Sequence, residues 1–387
     1  MRFPSTRPVR LGIVLAVLAL LGSACAGRTV GAGPNGDLLG DGELVVGGTA
    51  EENPEDSGVT EAEDPLSFDP SDGARGTISM ARATWDSGRM QAEIYAQLLE
   101  ELGYDVDRGT AIAPNEFYPE LAAGTYDFWA NGWPIVHNSF FDESTESGDR
   151  IGDLITYVGT QMPVGGLQGF LVDTATADEY GIDTLDDIAA NPEIRALFDS
   201  DGDGLAEIAG CDEGWGCAGV IDTLIADNGW DGVIEQVKGS HGDLFAEQVA
   251  RADAGQPALA YAWTPGPFIT QLRPGDNAIW LGVENPSAGQ RIETDLPPSQ
   301  CRLEPCTMGF SPTDIVAVAN TDFLAGEPAA AALLEQIKIS VLDVSFQTVK
   351  MAAGEDSEQD VAGHASDWIA SHRSDVDRWL AQAELAG

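Results

Sequence analysis

Lysine is almost missing from this chain. Lys238, Lys338 and Lys350 are the only lysines in 387 residues, and with arginine they make 19 bases against 64 acids, a formal charge of −45. A nucleic-acid-binding face needs clustered positive charge, so that class of function is excluded. Histidine is nearly as scarce, at four residues, and no His-Glu-x-x-His, Gly-x-Ser-x-Gly or phosphate-loop motif occurs. Little material is left for acid–base or nucleophilic chemistry, and an enzyme is not expected. Gly31 to Gly36 fits the dinucleotide fingerprint by letters alone, with no strand before it and no helix after it. The longest apolar run, residues 11–21, is too short to cross a bilayer core of about 30 Å.

What is present points to a secreted globular protein. Apolar residues make up 43% of the chain, enough to build cores for two or so units of roughly 150 residues each. Residues 1–25 carry Arg2, Arg7 and Arg10, no acid, and the short apolar run ahead of Gly22-Ser23-Ala24-Cys25. They read as a lipoprotein-type signal peptide, with Cys25 the lipidated residue that anchors the mature chain to a membrane. Residues 26–76 hold 12 acids, two arginines and one aromatic, Phe68. Such a segment cannot bury enough apolar surface to offset its ordering entropy and reads as a disordered acidic tether. Lipidation accounts for the odd cysteine of five. The other four form close pairs, Cys211 with Cys217 and Cys301 with Cys306, each suited to a short disulfide loop in an oxidising compartment. A four-cysteine zinc site is the alternative, though its ligand pairs are usually spaced more tightly.

From Thr77 the texture is that of an α/β domain with a largely parallel sheet. A strand over 77–84 leads into a helix capped by Asp86 or Ser87, with Met90, Ile94 and Leu98 as its apolar stripe and Gly103 as its stop. A strand at 104–106, a short helix at 117–123 and an alternating segment at 126–130 follow. Further strands are expected at 167–172, 258–263 and 314–319, with helices around Asp186 and Leu197, over 219–228, and from Pro328 to the C-terminus. Ligands in such folds sit where loops leave the carboxyl ends of strands.

Three tryptophans fall at those places. Trp133 precedes Pro134 and His137, Trp215 lies between Gly214 and Gly216 inside the Cys211–Cys217 loop, and Trp263 ends a strand. Glycine beside Trp215 leaves main-chain N–H groups bare, so an aromatic face stands next to anion donors. That pairing suits a zwitterion, because tryptophan faces attract a quaternary ammonium by about 0.5–2 kcal/mol each without a counter-charge. Of the four histidines only His137 adjoins such a site; His241 reads as a polar-loop residue, and His364 and His372 lie in C-terminal helices.

Five stretches carry a specific resemblance: 131–137 (Asn-Gly-Trp-Pro-Ile-Val-His), 197–204, 211–217, 261–265 and 365–379. Through them the chain from about Gly76 onward is similar to the glycine betaine/proline betaine-binding proteins of ABC importers, of the enterobacterial periplasmic type. The resemblance implies a two-lobe periplasmic-binding-protein fold, type II-like, with a hinge and an interlobe cleft: 77–160 in lobe 1, 161–311 in lobe 2, and 312–387 returning to lobe 1. It implies a box of Trp133, Trp215 and Trp263 around the trimethylammonium group, with Gly216, Cys217 and His137 holding the carboxylate. A disulfide around the tryptophan loop belongs to the pattern; a Cys301–Cys306 pair does not. The implied partners are an ABC permease and its ATPase, and the implied place is outside the cytoplasmic membrane or in the periplasm. Choline or carnitine is the alternative ligand, or a sensor domain the alternative role. No cofactor is required. Asp199, Asp201, Asp203 and Glu207 follow calcium-loop spacing, with Gly210 where a bidentate acid would complete it, so a structural calcium is expected at most.

Overall fold

The computed structural model describes residues 75–387. The expected signal peptide, Cys25 and nearly all of the acidic tether lie outside the described residues. Ten strands form two five-stranded sheets. Strands β1 (Thr77–Ala81), β2 (Asp105–Asp107), β3 (Phe128–Gly132) and β4 (Ile155–Gly166) precede β5 (Gln168–Asp173), β6 (Ala206–Ala209), β7 (Ile234–Val237), β8 (Leu259–Trp263), β9 (Ala278–Leu281) and β10 (Thr313–Asn320). The first sheet has the order β2-β1-β3-β10-β4 and the second β7-β6-β8-β5-β9.

Both sheets are mixed, which corrects the expectation of a largely parallel one. In the first, β1 pairs in parallel with β2 and β3, while β10 runs antiparallel to β3 and β4. In the second, β6 pairs in parallel with β7 and β8, while β5 runs antiparallel to β8 and β9. The reversed strand is in each case the one that has just crossed from the other sheet. It enters from the cleft side, so its direction opposes that of the strands linked by helical crossovers. The first crossing lies at Leu167, beyond the boundary at 160 expected from the sequence, because β4 stays in the first sheet through Gly166. The return falls before β10. Helices Pro328–Gln336, Val341–Ala352, Glu358–Ser371 and Arg373–Ala386 then pack on the first sheet's side, against β4 and the helix α1 (Asp86–Glu101).

Local chemistry explains the elements that frame the cleft. α1 buries Met90, Ile94 and Leu98 as its period demands, and Gly103, at φ 97°, turns the chain out of its end. Its N-cap is neither Asp86 nor Ser87 but Trp85, which caps nothing with its side chain. Helices α2 (Pro114–Ala122) and α3 (Pro134–Phe141) both begin on proline, whose missing N–H costs nothing in a first turn. The four cysteines form two disulfides, Cys211–Cys217 and Cys301–Cys306, so a four-cysteine zinc site does not arise.

Candidate ligand-binding site

Four strands with their carboxyl ends at the cleft, two in each sheet, each deliver a tryptophan. Trp85 follows β1, Trp133 follows β3, Trp215 lies in the loop after β6, and Trp263 closes β8. One cavity collects all of them. Its walls include every ligand-binding residue singled out from the sequence: Trp133, His137, Trp215, Gly216, Cys217 and Trp263. They are joined by Trp85, Val136, Gln168 and Tyr261.

Sequence reasoning missed Trp85, Gln168 and Tyr261. The first carried a signal of the same kind as the others, a tryptophan just past a strand. The structure also moves His241 out of a polar loop and into the first turn of helix His241–Asp253, 4.5 Å from Trp263 by ring centroids.

The rings are held in place from behind. Trp85 and Trp133 both donate their indole N–H to one acceptor, Asn131 Oδ1, at 2.8 Å each. Trp215 donates to Thr84 Oγ1 at 2.8 Å and meets Trp85 and Trp263 edge-on at 5.1 and 5.6 Å. With these three indole N–H groups occupied, Trp85, Trp133 and Trp215 offer aromatic faces, while the Trp263 indole N–H has no partner among the described residues. Thr84 and Trp85 come from the first sheet and Trp215 from the second, so these contacts cross the cleft.

The opposite wall is a donor surface. Helix Gly216–Asp227 starts at Trp215 with no side-chain cap, so the N–H groups of Gly216 and Cys217 have no helical carbonyl to bond. Uncapped N–H groups plus the helix dipole make an anion site. Only glycine fits at 216: an added Cβ would stand 2.5 Å from Val136 O and 3.2 Å from His137 Cδ2. The cap of this helix therefore lies directly on α3.

His137 is buried, and burial pulls its imidazole down to about 3. It is neutral at ordinary pH, and its tautomer follows from its partners. The Trp133 main-chain N–H can only donate, and it reaches Nδ1 at 3.3 Å, where the Tyr118 hydroxyl also arrives at 2.8 Å. Nδ1 is thus an acceptor and Nε2 carries the proton.

Among the described residues no charged side chain lines this cavity. Carboxylates stay in an adjoining, larger cleft that shares Trp85, Trp215 and Trp263 and is walled by Asp86, Asp212, Asp243 and Asp356. Burial pushes Asp86 and Asp212 above the ordinary carboxylate range.

The acidic loop before β6 is separate. Carboxylate oxygens of Asp199, Asp201 and Glu207 come within 4.8 Å of one another. Asp203, expected with them, instead accepts the Leu205 N–H at 2.8 Å and stands outside the cluster.

Residues 76–371 match the family described as the substrate binding domain of ABC-type glycine betaine transport systems. The chain is 31% identical over 313 residues to the glycine betaine-binding periplasmic protein OusX of Dickeya dadantii (strain 3937), covering 80% of this chain and 90% of that one. It is 30% identical over 312 residues to the glycine betaine/proline betaine-binding periplasmic protein of Escherichia coli (strain K12), covering 80% and 91%. Among solved structures, an ABC-transporter choline binding protein in complex with choline superposes with a TM-score of 0.60 at 16% identity, over 79% of this chain and 91% of that one. Lactococcal OpuAC in its closed form with glycine betaine gives 0.58 at 16% identity, over 79% and 100%. At such identities the structural likeness speaks for the fold, a two-lobe periplasmic-binding-protein arrangement.

Proposed function

Because the chain belongs to the family of substrate-binding domains of ABC-type glycine betaine transport systems, we propose that its tryptophan cavity captures glycine betaine or proline betaine for uptake by an ABC permease and its ATPase. The observation that carries the reading is a cavity with four tryptophans, two uncapped helix N–H groups, a neutral histidine donor and no charged side chain. A free cation would leave the donors unpaired, and a free anion would waste the aromatic faces. A small zwitterion satisfies both ends. Trp133, Trp215 and Trp263, joined by Trp85, surround the trimethylammonium group; His137 Nε2 and the N–H groups of Gly216 and Cys217 hold the carboxylate.

The protein works outside the cytoplasm, and among the described residues no helix is long and apolar enough to cross a membrane. Lipidation of Cys25 would tether it near its permease. Import of betaines serves osmoprotection. Titration with glycine betaine, proline betaine and choline, read from tryptophan fluorescence, tests the assignment. Both betaines bind tightly and choline, which has no carboxylate, much more weakly; equal affinity for choline overturns the zwitterion reading and favours a choline carrier.

A further inference from the structure

We propose that Gln168 is a fourth donor to the ligand's carboxylate and the residue that makes the site demand one. The inference rests on the betaine reading above and names a further part of the same site. Gln168 is the first residue of β5, where the chain has just left the first sheet; it is 2% exposed and lines the cavity. Its two polar atoms are treated differently. Oε1 accepts the Tyr261 hydroxyl at 2.7 Å, while Nε2 has no hydrogen-bond partner among the described residues. Burial lifts the Tyr261 hydroxyl well above its ordinary range, so it keeps its proton and remains a donor. That bond fixes which way the amide faces: the oxygen is taken and the nitrogen is left over.

Buried N–H groups without partners are rare because each costs its hydration, so a leftover donor in a ligand cavity points to the ligand. In register, Gln168 stands directly opposite Trp263 on β8, which puts the donor beside an aromatic wall. The carboxylate has room for this donor, and the Trp263 indole N–H in the same cavity is likewise without a partner among the described residues. An ionised carboxylate offers about four lone-pair positions; Gly216, Cys217 and His137 supply three donors, and Gln168 Nε2 supplies the fourth. A ligand carrying only a cation strands all four, which is how a site built for hydrogen bonds rejects an analogue lacking the acceptor.

Calorimetric titration with glycine betaine and with tetramethylammonium, comparing the wild-type protein with Gln168→Ala and Gln168→Glu, tests this. Gln168→Ala weakens glycine betaine binding about tenfold to a hundredfold and leaves tetramethylammonium nearly unchanged. Gln168→Glu weakens glycine betaine further, since a carboxylate then faces a carboxylate. Gln168→Met, similar in length and without polar side-chain atoms, replaces the alanine variant if that does not fold. Retained or improved glycine betaine affinity in Gln168→Glu, or equal losses for both ligands in Gln168→Ala, overturns the inference. A wild type that fails to bind glycine betaine refutes the betaine reading and this inference with it. A wild type that binds while Gln168→Ala is unaffected refutes this inference alone.

Discussion

His137 sets the chemistry of the anion end. Its imidazole is neutral because burial holds it at about 3, and its Nε2–H exists because Nδ1 is filled by the Trp133 N–H and the Tyr118 hydroxyl. The sign for stability follows. In the unfolded chain the group titrates near 6.5, at about its ordinary value. Between there and about 3 the unfolded state binds a proton that the folded state refuses. This residue's contribution is therefore constant above that window and is lost as pH falls through it.

Binding behaves differently, since neither the ring nor the ligand carboxylate changes charge between pH 8 and 5. Calorimetry across that range should give a flat affinity for glycine betaine, while His137→Ala lowers it about tenfold to a hundredfold at every pH. A wild-type affinity that climbs on acidification would mean a protonated imidazole.

Among single residues, those legible from the sequence were the ones whose neighbours along the chain announced them: a tryptophan between glycines and cysteines, a histidine one turn into a proline-started helix. Gln168 and Tyr261 gave no such signal. Each enters the site through strand register or through packing between elements distant in the chain, as the pairing of Gln168 with Trp263 shows.

At the scale of elements, periodicity located the helices and strands it named within a few residues, since apolar spacing follows from local geometry, but it did not name β4, β6, β7, β9 or the helix His241–Asp253. Strand direction was not legible. β5 and β10 are as continuously buried as the central parallel strands β3 and β8, and only the passage of the chain between sheets makes them antiparallel.

The acidic loop 199–207 is a similar mixture. Its turn was readable, but which carboxylates converge depends on β6 lifting Glu207 beside Asp199 and Asp201. Those three groups repel one another, and the whole loop, after burial, helps push Glu235 on β7 above the ordinary range. A structural calcium there is carried forward as a proposal. If it binds, millimolar calcium raises the melting temperature relative to chelator, and Asp201→Asn removes most of that gain; identical melting with and without calcium removes the ion from the description.

At the scale of the whole molecule, charge dominates. Residues 77–387 contain 14 bases and 52 acids, a charge of −38. Several of the scarce arginines bridge two carboxylates at once: Arg108 joins Glu93 and Glu100, Arg150 joins Asp142 and Asp153, and Arg302 joins Asp178 and Asp183. Arginine's planar fork suits that task better than lysine's point charge. Most of the acids still have no cation, so the fold opposes its own compaction at low ionic strength. Raising salt from about 0.05 to 1 M shortens the screening length from above 10 Å to about 3 Å and should raise the melting temperature. A flat or falling trend would show that self-repulsion is not a leading cost.

The uncharged cavity inside this acidic shell has an operational meaning. Screening acts on charges that face the medium, and the walls around the ligand carry none. A salt-dependent shell around an uncharged cavity predicts that stability follows the salt outside while affinity does not. Over the range of brines in which a cell has most need of a compatible solute, such a protein would firm up while its calibration held.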